Sequence, residues 1–486
     1  MQPKLDTPLV VLIVLASVAV TSPLYEMIFG KKSLKYVQYI TTLSLLVSLI
    51  LLIISTLSLI PQESTVPHLL RNDTLGSFFS LMVILVTLFV SITSFDYMKG
   101  NSNERIYYSL LLFTAIGMTM LSFAVDLLVM FVAWELMSLP TFILAGYNKQ
   151  DKLSNEAAVK FFILGALSSG ILLYGISIMF GITGSTNLEV ISQSLTSLSP
   201  DMLPFVVFST ISMLAGLGLK LSIVPFHMWI PDTYEGSPTT VSALLSAATK
   251  KAGFAAAIRI FAVIFPLFYF DLSLALSIVA LVTMTLGNLA ALTQKSITRM
   301  LAYSSIAQAG YLLIGIVVLP YTDLGLTGLL YHSFNHAVLQ ASAFLAAALV
   351  RLKTSGSDLS NYNGLSKIMP ITSFCLALSL LGLAGIPPLN GFWSKLVLFA
   401  AAVDAGYAWL ALAGLVNSAI SVAYYLLVIK RMYMDETTLK KIQEPLTFVS
   451  VLVFASIIIV FTGIFPNLLY DLTNDITISF FTKNPV

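Results

Sequence analysis

The chain has 486 residues, of which 57% are apolar and only 10% are Asp, Glu, Lys or Arg, against the roughly 25% charge of a soluble domain. So little charge cannot solvate a globule of this length, which excludes an ordinary soluble enzyme. A formal net charge of +2 without a dense Lys/Arg run gives nucleic acid no footing, and the one cysteine, Cys375, is too few for an iron–sulfur cluster or a structural zinc site.

A segment needs about 20 mostly apolar residues to cross a bilayer. By that rule the chain reads as an all-α polytopic membrane protein with about fourteen spans, since lipid cannot satisfy an open backbone and ten-residue barrel alternation is absent. Spans one to three are expected at 8–29, 37–60 and 75–95. The first, apolar from Leu9 to Ile28, is long enough to cross and has no small-residue cleavage site behind a basic stretch, so it reads as a helix that stays. Spans four to eight follow at 106–124, 126–147, 157–183, 202–230 and 238–265. Spans nine to thirteen follow at 272–293, 299–319, 324–350, 370–402 and 406–430, and span fourteen at 446–470 precedes a tail.

The basic residues test this count. Lys31, Lys32, Lys35, Lys99, Arg105, Lys149, Lys152, Lys160, Lys295, Arg299, Arg351, Lys353, Lys367, Lys430, Arg431, Lys440 and Lys441 all fall in or beside loops of one side. The other side holds only Lys4, Arg71 and Lys483. A missed span would have scrambled that asymmetry. The positive-inside rule then puts the basic loops in the cytoplasm of a prokaryotic cell, with the chain in the plasma membrane and both termini outward.

Six ionisable residues remain inside spans: Glu135 in span five, Lys220 in span seven, Lys250, Lys251 and Arg259 in span eight, and Lys395 in span twelve. A charge at the bilayer centre costs from about 2.5 kcal/mol upward, so such residues face the bundle interior and are functional by default. A desolvated lysine can release its proton and a neighbouring carboxylate can restore it, whereas arginine does not deprotonate. That chemistry suits proton movement, with Glu135 and Lys220 as the expected pair. Arg259, two turns past Lys251 and towards a helix end, reads as a snorkelling or structurally paired residue. Cys375 reads as a small buried apolar side chain.

Two spans look broken. In span seven Lys220 precedes Pro225-Phe-His-Met-Trp-Ile-Pro231, and in span twelve Gly385-Ile-Pro387-Pro388 precedes Lys395 by about two turns. Proline removes a helical hydrogen bond, and interrupted helices at membrane depth line cavities and transport sites. Spans seven and twelve lie five apart and so run in opposite directions, which suggests an inverted repeat. Spans ten and eleven supply neutral polar groups: Tyr303, Ser304, Ser305 and Gln308 on one, His332, Asn335, His336 and Gln340 on the other. His332 and His336 share a face at i,i+4. No carboxylate or thiol joins them to make a metal site, and imidazole carries protons near neutral pH. His227 reads equally as an inlet relay or an interfacial side chain.

The stretches WELMSLPTFIL (134–144), GLKLSIVPFHMWIPDTYEGSPTTVSALLSAATKKAGFAAAIRI (218–260), LAYSSIAQAGYLLIG (301–315), GLAGIPPLNGFWSKLVLF (382–399) and the run 400–433 resemble the antiporter-like membrane subunits of complex I, NADH-quinone oxidoreductase, and within them the N type. The block PFHMWIPD-x-Y-E-G-x-P-T (225–239) is highly specific. The resemblance covers about spans four to thirteen. It implies a three-helix N-terminal segment (1–105), two inverted five-helix units (106–265 and 266–433) with discontinuous helices seven and twelve, and a C-terminal helix and tail (434–486). It implies that Glu135 tunes Lys220, that Lys250 (or Lys251 in a shifted register) is the central proton carrier, and that Lys395 passes protons outward. His227, Ser304, Gln308, His332 and His336 would form a secondary path, and Pro225, Pro387 and Pro388 the breaks. Gln308 stands where many members carry histidine, and Gln340 where sister subunits often carry lysine. No cofactor is expected in this chain; quinone, iron–sulfur clusters and flavin would belong to partners, namely M-, L-, K-, A-, J- and H-type membrane subunits and a peripheral redox arm. Other readings are a subunit of a multisubunit Na+/H+ antiporter, of a membrane-bound hydrogenase or ferredoxin-coupled complex, or a membrane scaffold.

Overall fold

The computed structural model describes residues 6–25, 33–57, 64–100, 104–354, 356–437 and 440–483. Lys4, Lys31 and Lys32 of the loop count, and the side chains of Ser33, 265–270 and Lys483, lie outside the described residues. Among the described residues regular structure is helical, apart from isolated bridges between loops. Among the described residues twelve helices are long and apolar enough to cross a membrane, which makes the chain a multi-pass membrane protein. The spans that complete fourteen are span eight, whose three buried cations lower its hydropathy, and span twelve, which is divided into Pro370–Ala384 and Asn390–Asp404.

Acids decide where several helices begin. Asp73, Asp126 and Asp151 each accept a first-turn N–H of the helices Thr74–Tyr97, Leu127–Ala145 and Lys152–Thr183, which are spans three, five and six. These caps satisfy donors that a helix start would otherwise leave bare. Spans three, ten (Ile297–Val317) and eleven (Asp323–Thr354) are almost wholly enclosed by other helices, so the bundle's core is built around them.

Helical backbone runs from Lys250 to Leu292 with Pro266 inside it. Yet Lys250 bonds to Ser305, while Gly287 lies against Tyr303 and Ala307 of the same stretch of span ten. A straight run at ~1.5 Å per residue would separate Lys250 and Gly287 by about 55 Å. The two halves are therefore separate crossings, spans eight and nine, as the sequence predicts.

The end of the chain differs from expectation. Span fourteen stops at Ile464, short of residue 470, and Pro466 opens a further helix, Pro466–Lys483, where a tail was expected. Proline is well suited to a first helical turn, where its missing N–H has no partner to lose. This helix packs on span eleven through Thr327–Thr477 (3.0 Å) and Tyr331–Pro466 O (3.3 Å). A short helix not anticipated from sequence, Leu188–Thr196, follows span six and buries Leu188, Ile191 and Leu195.

The inverted repeat is visible in the backbone of the two breaks. Span seven divides into Leu203–Leu221 and Trp229–Gly236. Its first half ends on Ser222 with φ 70°, and the first half of span twelve ends on Gly385 with φ 82°. At the first break Ser222 N–H donates to Leu219 O, Ile223 to Gly218 O and Phe226 to Ile223 O. At the second, Gly385 donates to Gly382 O, Ile386 to Leu381 O and Leu389 to Ile386 O, with the same spacings. A cis proline follows three residues after each left-handed residue, Pro225 and Pro388. One local structure thus recurs in two helices that cross in opposite directions.

The second break is closely packed. A Cβ at Gly391 would fall 1.8 Å from Gly382 O, a backbone atom that cannot swing aside. Gly391→Ala is expected to cost several kcal/mol, about the scale of an overpacked core or more. Yield and thermal stability of the purified protein check this; a variant as stable as the parent would contradict the packing.

Candidate proton-conducting line

Lys220 stands in the last turn before the first break and is 3% exposed. Its Nζ donates to Ser138 Oγ of span five at 3.0 Å and lies 5.1 and 5.7 Å from the Phe161 and Phe142 rings. Glu135, one turn before Ser138 on the same helix, accepts a short hydrogen bond from Ser169 of span six instead. The expected Glu135–Lys220 pair is not a direct contact: Lys220 meets Ser138, and Glu135 stands one turn from Ser138 on span five. Glu135 is only half-buried by this chain.

The break leaves carbonyls free, and side chains satisfy them. Trp229 Nε1 donates to Leu219 O at 3.1 Å. Its ring stacks on Phe161 at 4.3 Å and meets Tyr234 edge-on at 6.1 Å, and Lys250 Nζ lies 5.8 Å from the Tyr234 ring. The described contacts between Lys220 and Lys250 are thus aromatic. His227, buried between the two halves of span seven, has a ring nitrogen, Nδ1, that meets no partner among the described residues.

The two central lysines diverge. Lys250 points to span ten, with Nζ against Ser305 O at 3.2 Å and in a short contact with Ser305 Oγ, which also accepts from Ser246. Lys251 points to span eleven, 2.6 Å from His336 Nδ1. The next imidazole, His332, follows at 6.1 Å between ring centroids. His332 Nε2 is 3.0 Å from Gln308 Oε1 and Nδ1 is 3.0 Å from Ser394 Oγ. Gln308 Nε2 donates to Leu383 O at 3.2 Å, so its Oε1 accepts and His332 carries its proton on Nε2. Ser394 has one hydroxyl hydrogen for two acceptors, Nδ1 of the neutral ring and Gly391 O at 3.2 Å.

Leu383 O is one of the carbonyls freed at the second break, and Lys395 Nζ donates to it at 2.8 Å. Lys395 also reaches Ala384 O at 3.3 Å and Ser418 Oγ of span thirteen (Ala408–Met434) at 2.9 Å, with the Tyr311 ring at 4.9 Å. Lys251, His336, His332, Gln308, Leu383 O and Lys395 therefore form one line through the protein's middle. Its single step beyond hydrogen-bond reach lies between the two histidines. Ser304 stands aside from that line, bonded to Tyr425 of span thirteen at 2.5 Å.

Of the expected sites, Lys251, His336, His332, Gln308 and Lys395 come together, while Glu135, Lys220, Lys250, His227 and Ser304 bond elsewhere or, for His227 Nδ1, to no partner among the described residues. Ser138, Ser169, Ser394, Ser418 and Tyr311 carry no sequence signal beyond being polar residues in apolar runs. Arg259 has a purely structural partner: its guanidinium makes a bidentate pair with Asp73, both contacts at 2.8 Å, and also donates to Ser122 O. On the basic side Arg299 pairs with Asp232 (2.8 Å) and Glu235 (3.0 Å), and Lys160 with Asp232 (2.6 Å), tying the second half of span seven to spans six and ten.

Two broken helices in inverted units, each beside a buried lysine, define an antiporter-like membrane module. The chain belongs to the NADH:quinone oxidoreductase/Mrp antiporter transmembrane family, whose model matches residues 124–421. It is 39% identical over 416 residues to the F(420)H(2) dehydrogenase subunit N of Methanosarcina mazei, covering 83% of this chain and 84% of that one. It is 37% identical over 418 residues to NADH-quinone oxidoreductase subunit N of Desulfitobacterium hafniense, covering 81% and 83%. A chain of respiratory complex I from Thermus thermophilus with bound aureothin is similar in structure at a TM-score of 0.80 and 29% identity, covering 96% of this chain and 99% of that chain. A chain of the Mrp complex from Dietzia shares the fold at a TM-score of 0.85 and 21% identity, covering 97% of each.

Proposed function

We propose that this chain is the proton-translocating, N-type membrane subunit of a quinone-reducing respiratory oxidoreductase, and that it carries no redox centre itself. The observation that carries this reading is the line from Lys251 through His336, His332 and Gln308 to Lys395, all at most 4% exposed. Each protonatable group in it is desolvated, and every step but the one between the two histidines is bridged by hydrogen bonds, which suits stepwise proton transfer and has no use in a scaffold.

Glu135 and Lys220 form the input pair in the first unit (106–265), Lys250 and Lys251 the centre, and Lys395 the outward end in the second unit (266–433). Lys220 and Lys250 are separated by the Phe161–Trp229–Tyr234 rings. Quinone, iron–sulfur clusters and flavin are assigned to partner subunits, with M-, L-, K-, A-, J- and H-type membrane chains and a peripheral redox arm completing the complex. The relatives' names give two electron donors, NADH and F(420)H(2). The donor is therefore a property of the peripheral arm. The membrane is the prokaryotic plasma membrane, with the basic loops inward and both termini outward.

Isolation from native membranes in mild detergent tests the assignment. Iron–sulfur and quinone-site subunits are expected in stable association, identified by mass. Association with antiporter subunits alone, or with a nickel–iron protein, would replace this reading by a Na+/H+ antiporter or a hydrogenase complex.

A further inference from the structure

Two polar atoms on the line's central helix have no protein partner, and they complement one another. His336 Nε2 and Gln340 Oε1 are both buried and without a hydrogen-bond partner among the described residues, and their side chains are 1% and 0% exposed. They lie at i,i+4 on span eleven and so share a face. Their other polar atoms are already committed: His336 Nδ1 to Lys251 Nζ at 2.6 Å, and Gln340 Nε2 to Leu301 O at 3.0 Å. The commitment of the Gln340 amide fixes Oε1 as the acceptor end.

We propose that an ordered water molecule bridges His336 Nε2 and Gln340 Oε1, and that Gln340 is thereby a positioning residue for the Lys251–His336 contact. Its part in proton movement rests on the function proposed above. An ammonium on Lys251 donates to Nδ1, so Nε2 bears hydrogen and needs an acceptor; the neutral amine can accept from Nδ1–H, and Nε2 then needs a donor. Water satisfies both states. It donates one hydrogen to Gln340 Oε1 throughout and offers Nε2 either a lone pair or its second hydrogen. A cation at the same place would meet Gln340 but repel Nε2–H. Buried waters occur where otherwise unsatisfied polar groups converge in this way.

A cryo-electron-microscopy map of the intact complex in sodium-free buffer, fine enough to show ordered water, tests the site. Density is expected within about 2.6–3.2 Å of both atoms. A direct His336–Gln340 contact, an empty gap, or density that appears only when sodium is restored would overturn it. In Gln340→Leu the density should vanish and the rate of redox-linked proton uptake should fall roughly threefold to tenfold, the factor one hydrogen bond is worth. Unchanged pumping in that variant would overturn the positioning role, and if it fails to assemble the parent map still decides the water. A Lys220→Ala complex that pumps normally would sink the proposed function and leave the density untouched, so the two failures are distinguishable.

Discussion

Replacing Lys220 by alanine is expected to abolish redox-linked proton pumping by the reconstituted complex while leaving the complex assembled. Among the described residues the side chain has one hydrogen-bond partner, Ser138 Oγ, and its Nζ lies over the Phe142 and Phe161 rings. Alanine removes the ammonium at the first break, and a positioned acid–base group is worth roughly 10²–10⁴ in rate. The structural loss is smaller, because Ser138 keeps its own helix and the aromatic walls remain. Lys220→Arg separates charge from proton exchange: arginine keeps the charge but does not release it, so it should pump no better than alanine. The measurement is proton uptake into vesicles per electron transferred, with assembly followed by native electrophoresis. Full pumping by either variant would remove Lys220 from the path.

The largest stability effect is expected at Arg259. Its bidentate pair with Asp73 is deeply buried, with side chains 2% and 7% exposed, and links span eight to the start of span three. Removing one partner of a buried pair leaves an uncompensated charge and costs about 3–5 kcal/mol, whereas removing both charges costs far less. Arg259→Met should therefore unfold or fail to assemble well before the parent on heating in detergent. Asp73 has a second duty: its side chain accepts from Gly76 N–H at 2.7 Å and caps the helix. Asparagine caps as well as aspartate. Hence Arg259→Met combined with Asp73→Asn should recover most of the loss. Equal instability of the single and double variants would show that the ion pair is not what the first substitution removes. The contrast with Lys220 separates the two kinds of buried cation: one is held fixed by a carboxylate, the other is left with a neutral partner.

Much of the site was legible because the bilayer penalises charge one residue at a time. Lys220, Lys250, Lys251 and Lys395 stand out in apolar runs whatever surrounds them, and Pro225, Pro387 and Pro388 interrupt helices by their own ring geometry. Ser138, Ser394 and Ser418 stand out in nothing. A hydroxyl in a membrane helix can satisfy itself on its own backbone, as Thr87 does on Val83 O, Ser94 on Val90 O and Ser122 on Met118 O. Its presence therefore does not tell whether it serves a lysine. For the same reason the sequence offers Ser304 and Ser305 alike, and the resemblance puts Ser304 on the secondary path, yet it is Ser305 that meets Lys250. Asp73 looked like an ordinary loop acid beside a helix start, and only the arrival of Arg259 from a distant span gave it a second role.

The amino-acid sequence by itself determined that the chain lies in a membrane, how many times it crosses, and which few residues carry charge inside. Each of these follows from the cost of putting one segment or one side chain into hydrocarbon. The tertiary structure alone decided which of those residues touch. It sent Lys250 to Ser305 and Lys251 to His336, put Ser138 in contact with Lys220 in place of Glu135, and brought Gln308 and Lys395 to the same freed carbonyl, Leu383 O. Adjacent lysines in sequence diverge because successive helix positions point about 100° apart, and what each meets depends on helices packed from elsewhere in the chain. The continuation of the chain as a second C-terminal helix, Pro466–Lys483, was decided in the same way, by the face of span eleven that it covers.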